Sequence, residues 1–301
     1  MKFHFYYLLV FFSLLFLFYP GDSTHIKNFM YNRDIFAQED IAPKEKDINA
    51  IPYVAPNSAP QVTAEGAYIV DLPSFTPIYE KNSQNLFYPA STTKVITALV
   101  VNDVYKPDDI VTVKRNLQDG QVIGLVVGEN ISVENLLYGM LVYSGNDAAY
   151  AFADFYGYDK FISLMNKKAH SLGMKNTHFA NPAGLDEQSQ LTTPYDLSLA
   201  SRELLKNKLL KKIVSTKEIT IADNDYKYFH KLTNVNKLLG EVPGIGGLKT
   251  GYTEAAGENL VSFYKKNGHD YIIVILKSQD RFTDTKNVAS WINDSVRYIK
   301  I

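Results

Sequence analysis

The stretch from Ser91 to Asp103 constrains this chain more than any other. Val95, Ile96, Ala98, Leu99 and Val100 give a helix there apolar residues nearly all round. A surface helix carries a single apolar stripe, so one that is apolar on every side must be covered by other elements. Pro89 and Ala90 lead into it, and Lys106 to Asp109, with Pro107, ends it. The flanking segments can supply the cover. Ala67–Leu72 and Pro77–Lys81 read as strands around a turn at Pro73 and Ser74. A short strand at Ile110–Val113 follows the buried helix. Helical patterns come next: one capped by Ser132 and running through Leu136, Leu137, Met140 and Leu141, then Asp147–Phe155, Asp159–Leu172 and Tyr195–Leu205. Thr193-Pro194 supplies a cap and a first-turn proline for the last of these. The final third returns to strands at Glu218–Ala222, Leu248–Tyr252, Leu260–Tyr264 and Tyr271–Leu276, and a helix over Asp284–Tyr298 closes the chain. The short Asn267-Gly268 link favours antiparallel pairing. Strands at both ends with helices between them predict an α+β sandwich: one antiparallel sheet packed by the terminal helix, with a helical subdomain inserted.

The N-terminus bears on location. Lys2 precedes a run from Phe3 to Tyr19 that only His4 and Ser13 interrupt. Such a run is a secretory signal or a membrane anchor. No small-x-small site follows Tyr19-Pro20-Gly21-Asp22, which favours an uncleaved anchor over residues 1–20. Lys2 on the short side places the N-terminus in the cytoplasm and the remainder outside. Residues 21–62, with Pro43, Pro52, Pro56 and Pro60, read as a semi-extended tether, and 63–301 as the globular domain. A formal net charge of −1 gives no electrostatic case for nucleic acid. The absence of cysteine excludes disulfides, a thiolate nucleophile and a Cys-ligated metal. His170, His178, His230 and His269 lack metal-ligand spacing, so no metal is expected.

Three short motifs carry chemistry. In Ser91-Thr92-Thr93-Lys94, residues three apart share a helix face, so the hydroxyl and the amine can meet. A buried amine has a lowered pKa and can take a hydroxyl proton. A second Ser-x-x-Lys, Ser262 to Lys265, lies on a predicted strand, where such residues face opposite ways; it is a chance match. Ser144-Gly145-Asn146 falls between two helical runs and presents a hydroxyl and an amide together, although a capping turn would look the same and Ser83-Gln84-Asn85 repeats the pattern. Lys249-Thr250-Gly251 lies on a predicted strand and offers a cation and a hydroxyl to a carboxylate, with Gly251 letting a substrate backbone lie close. A solvated lysine on an edge strand would read alike.

In this order the three motifs form the constellation of active-site serine penicillin-interacting enzymes. The chain resembles the low-molecular-mass penicillin-binding D-alanyl-D-alanine carboxypeptidases. The likeness extends to Ala67–Asp71, Tyr79–Asn82, Phe87–Lys94, Gly139–Val142, Ser144–Ala149, Asn181-Pro182-Ala183-Gly184-Leu185, Lys249–Thr253, Ala256-Gly257, Asn259–Val261, Arg281-Phe282 and Trp291. It implies the penicillin-binding/β-lactamase-like transpeptidase fold. It also implies that Ser91 attacks the carbonyl between two terminal D-alanines of a peptidoglycan stem peptide, with Lys94 as general base. Ser144 and Lys249 would carry the proton to the leaving amine, and Asn146 would orient the acyl group. The N–H groups of Ser91 and Tyr252 would form the oxyanion hole. Thr250, with Arg281, would hold the free carboxylate. β-Lactams would acylate the same serine, and no cofactor is needed. The chain reaches Ile301 just after its closing helix, so the N-terminal segment would anchor it.

Other readings share these residues. A class A β-lactamase would need a Glu-x-x-Leu-Asn between the second and third motifs, where Asn181–Leu185 stands instead. A D,D-endopeptidase would carry the same motifs. A non-catalytic peptidoglycan-binding module is opposed by the intact Ser91, Lys94, Ser144, Asn146 and Lys249.

Overall fold

Strands β2 (Gly66–Asp71) and β10 (His269–Ser278) run side by side at the centre of the molecule, and both are apolar on both faces. On β2, Tyr68 and Val70 face one core while Ala67 and Ile69 face another; on β10, Ile272, Val274 and Leu276 alternate likewise with Tyr271, Ile273 and Ile275. A strand buried on both sides reads as a continuous apolar run, which is how these segments look in sequence. With β3 (Pro77–Lys81), β8 (Ile245–Thr253) and β9 (Gly257–Lys266) they form an antiparallel sheet of five strands in the order β3-β2-β10-β9-β8. β8 is an edge.

The computed structural model describes residues 2–17, 50–56, 58–72 and 74–299. Helix α1 (Lys2–Leu17) belongs to the first of two units, residues 1–48; it has 16 residues, so about 24 Å of rise. Among the described residues no helix is long and apolar enough to cross a membrane. The rest of the anchor expected over 1–20, the tether up to residue 49 and the Pro73 half of the predicted turn lie outside the described residues.

In the second unit, residues 49–301, one face of the sheet is covered by helices α2 (Lys94–Val104), α3 (Val133–Leu141), α4 (Asn146–Tyr156), α5 (Tyr158–Ser171), α6 (Pro194–Lys206) and α7 (Lys208–Val214). Val95 to Val101 of α2 are all buried, as its all-round apolarity requires. Ser132 caps α3 by accepting from Asn135 N, and Thr193 caps α6 by accepting from Asp196 N, with Pro194 in the first turn. The other face is covered by α8 (Arg281–Ser295), through Val288, Ala289, Trp291 and Ile292. The expected α+β sandwich with a terminal helix and a helical insert is therefore present.

The expected tether needs correction at its C-terminal end. Ile51–Val54 is a strand, β1, paired antiparallel with β11 (Val296–Ile299). Ser58 Oγ accepts from Trp291 Nε1 at 2.7 Å, and the N–H groups of Thr63 and Ala64 donate to the buried Asp284 carboxylate at 2.8 and 2.9 Å. Pro52 is compatible with β1 because proline is tolerated on edge strands. The closing helix likewise stops at Ser295, where the chain turns into β11. Two small hairpins complete the unit: β4 (Ile110–Thr112) with β5 (Asn130–Ser132), and β6 (Glu218–Ala222) with β7 (Phe229–Thr233).

Candidate active site

The segment that carries Ser91 is a kink before a helix. Ala90 is held at φ +47°, a left-handed value that strains a non-glycine residue. The next turn, Ala90–Thr93, is 3₁₀ and not the α-helix expected from Ser91 onward, and α2 begins at Lys94. Asn259 of β9 fixes this kink: its Nδ2 donates to Tyr88 O at 2.9 Å and Pro89 O at 3.1 Å, while its Oδ1 accepts from Lys277 N at 2.8 Å. Two glycines press on the same segment. A Cβ at Gly251 would lie 3.1 Å from Ser91 N, and one at Gly184, where φ is +92°, would lie 1.8 Å from Ala90 O. Backbone cannot yield as a side-chain tip can. Gly184→Ala is therefore expected to slow capture of a labelled penicillin by about 10²-fold through displacement of the serine, and to lower the melting temperature; an unchanged rate would show that the loop does not set the nucleophile.

Ser91 is half-buried and opens on a cleft of about 310 Å³. Ser144, Asn146, Thr250, Gly251, Tyr252 and Arg281 line the same cleft. Lys94 and Lys249 are buried behind it. All nine candidate residues thus belong to one region. The second Ser-x-x-Lys does not: Ser262 is buried on β9 and Lys265 is exposed. Ser83 spends its hydroxyl on Glu80 Oε2.

Lys94 Nζ has three neighbours at 2.7 Å: Ser91 Oγ, Asn146 Oδ1 and Ala183 O. The last two can only accept. They take two of its N–H bonds, so the third position of Nζ faces Ser91 Oγ, where a neutral amine would present its lone pair. Burial, and then the nearby charge of Lys249, push the Lys94 pKa well below the ordinary lysine value, with Asp147 opposing. Burial and the neighbouring Arg281 bring Lys249 down to about 7. Its Nζ donates to Thr250 O at 3.0 Å.

The groups around Lys94 are themselves held. Asn146 donates from Nδ2 to Asp119 O at 2.9 Å and from its backbone N to Gln121 O at 2.7 Å, which leaves Oδ1 aimed at the amine. Next to it, the buried Asp147 carboxylate accepts from the N–H groups of Ile123, Gly124, Leu125 and Ala148, tying the loop of residues 119–129 to the start of α4. Ala183 O is set by Asn181, whose Oδ1 accepts from the N–H groups of Ala183, Gly184 and Leu185. Ser144 sits at φ +70°, a second strained residue on the cleft wall. On the other wall, Arg281 Nη1 donates to Gly251 O at 2.7 Å, while its buried Nε has no hydrogen-bond partner and stays 4.0 Å from Glu258. Tyr252, 61% exposed, stands at the rim. Sequence reasoning missed the Ala183 carbonyl, which has no side-chain signal, and the positioning carboxylate of Asp147, which adjoins a motif residue.

The profile of the family described as Peptidase S11, D-alanyl-D-alanine carboxypeptidase, matches residues 54–280. The D-alanyl-D-alanine carboxypeptidase DacF of Bacillus subtilis is 36% identical over 221 residues, which are 70% of this chain and 57% of that protein. DacC of Escherichia coli is 32% identical over 254 residues, 77% of this chain and 62% of that one. This chain thus spans less than two thirds of the length of either relative. Among solved structures, the Streptomyces K15 DD-transpeptidase superposes with a TM-score of 0.73 at 30% identity, covering 78% of this chain and 98% of that one. A D-alanyl-D-alanine carboxypeptidase of Mycobacterium tuberculosis H37Rv gives 0.75 at 27% identity, covering 80% and 96%. With its three motifs gathered around one cleft and the match running from residue 54 to 280, the chain belongs to the D-alanyl-D-alanine carboxypeptidase family, S11.

Proposed function

We propose that this protein is a serine D-alanyl-D-alanine carboxypeptidase that removes the terminal D-alanine from peptidoglycan stem peptides. The observation that carries the reading is the setting of Lys94 Nζ, 2.7 Å from Ser91 Oγ and from the two fixed acceptors Asn146 Oδ1 and Ala183 O, in which a neutral amine keeps its lone pair for the serine hydroxyl. Lys94 takes the Ser91 proton as Oγ attacks the carbonyl between the two D-alanines. Ser91 N and Tyr252 N receive the developing oxyanion. The proton returns to the departing amine through Ser144 and Lys249. Thr250 and Arg281, which line the same cleft, hold the free carboxylate. Water then releases the acyl group from Ser91. A β-lactam enters the same course and stays on the serine. Intact mass spectrometry after penicillin treatment, with D-alanine release from linear and cross-linked stems, tests the reading. One adduct mapped to Ser91 and release from linear stems supports it; no adduct overturns it, and release only from cross-linked stems makes it an endopeptidase.

We further propose that Lys2 and the apolar helix α1 hold the enzyme at the outer face of the cytoplasmic membrane.

The two lysines set the pH course. Lys94 works unprotonated, so kcat/KM rises as pH climbs through its lowered pKa. Lys249 works as a cation, so kcat/KM falls as pH climbs past about 7. A bound substrate carboxylate offsets Arg281, the second cause of the Lys249 shift, so the alkaline limb of kcat is expected at higher pH than that of kcat/KM. Steady-state profiles of D-alanine release check this; coincident limbs would separate Lys249 from the substrate carboxylate.

A further inference from the structure

His230 of β7 lies outside the cleft, is 8% exposed and is engaged at both ring nitrogens. Nδ1 is 3.1 Å from Ile123 O and Nε2 is 2.8 Å from Glu129 Oε1. Both neighbours are acceptors. A neutral imidazole can donate from only one nitrogen; only the imidazolium satisfies both contacts. Glu129 is buried more deeply still, and its other oxygen accepts from Val126 N at 3.0 Å. The charges that act on His230 are Glu129 on the loop and Asp147 at the start of α4; across the hairpin it faces Ile221, and its neighbour Lys231 is exposed.

The loop of residues 119–129 has no helix or strand of its own, yet Gly120 and Gln121 form one wall of the cleft. The Ile123 side chain packs on Gly139 of α3 and on Gly145, in the turn that carries Ser144. Asp119 O and Gln121 O orient Asn146 against Lys94. We propose that His230, as an imidazolium clamped between Glu129 and the Ile123 carbonyl, is a positioning residue for the 119–125 wall, and that the clamp slackens as pH rises and the ring loses a proton. The Glu129 hydrogen bond holds the proton on the ring against the opposing effect of burial. The clamp's contribution is complete while the ring is charged and lost as pH passes its raised folded-state pKa. This rests on acylation occurring in the cleft, as proposed above.

The test compares His230→Gln with the wild type in the rate of fluorescent-penicillin acylation from pH 5.5 to 9. Gln keeps polarity but has no proton to lose. The variant is expected to be about tenfold slower at pH 6, the worth of one charge-assisted hydrogen bond, and to converge on the wild type toward pH 9 as the wild-type ring loses its proton. A ratio that stays constant with pH would mean a merely structural histidine and would overturn the proposal. A second measurement needs neither the variant nor a substrate: imidazole nitrogen shifts of the wild-type protein. His230 protonated at both nitrogens at pH 6, titrating above 6.5, supports the clamp; a neutral His230 at pH 6 overturns it. Failure of the wild type to acylate would strike the functional reading alone and leave the ring titration to decide this one.

Discussion

Ser91→Ala is expected to fold as the wild type does and to take no covalent label from penicillin. Ser91 Oγ is hydrogen-bonded to Lys94 Nζ and faces the cleft. Its removal opens no core cavity and leaves the 3₁₀ turn intact, because alanine needs nothing that the Ala90–Thr93 backbone lacks. D-Alanine release should fall by about 10⁴- to 10⁶-fold, the range in which removing the nucleophile of a concerted set leaves only binding and oxyanion stabilisation. Gel fluorescence and intact mass read the label, and a thermal melt reads the fold. Labelling at the wild-type rate would place the nucleophile elsewhere and end the account of Lys94 as its base.

Lys94→Met separates catalysis from stability. Methionine approximates the lysine shape, is at home in a core and has no amine. General-base catalysis supplies about 10²- to 10⁴-fold, so acylation should slow by that factor. The melting temperature should change little, because relief from burying an amine whose protonation is opposed by its surroundings offsets the donor lost to Asn146 Oδ1 and Ala183 O. Lys94→Arg should not restore acylation: a guanidinium stays charged and offers no lone pair. Stopped-flow acylation with calorimetry checks both halves. Rapid acylation of Lys94→Met would move the base to another group, and a large loss of stability would show that the amine is chiefly a structural tie.

The candidate site was legible because its residues announce themselves at short range. Ser91 and Lys94 meet by helix spacing, and the motifs of residues 144–146 and 249–251 are local. The five-stranded sheet was legible as apolar runs. What pattern could not show is whatever depends on backbone atoms or distant pairing. Ala183 reaches Lys94 through its carbonyl, so its alanine side chain carries no information. The kink at Ala90 is imposed by Asn259 and Gly184, far along the chain. Asn236 and Thr93 remain buried with unsatisfied polar atoms, and neither sequence nor structure accounts for them. The strand at residues 51–54 was read as tether because prolines around it mask a partner more than 240 residues away.

That pairing has a mechanical meaning. Ile51 lies opposite Ile299, and Val54 opposite Val296, so the chain enters the body at the open end of a two-stranded ribbon. Tension arriving along the preceding segment loads the ribbon one residue pair at a time, as a zip opens, and not in shear across the whole strand. Each rung resists with about the worth of one or two backbone hydrogen bonds. Under a pull, the ribbon yields rung by rung as a fuse, before load reaches the five-stranded sheet that carries the nucleophile's supports.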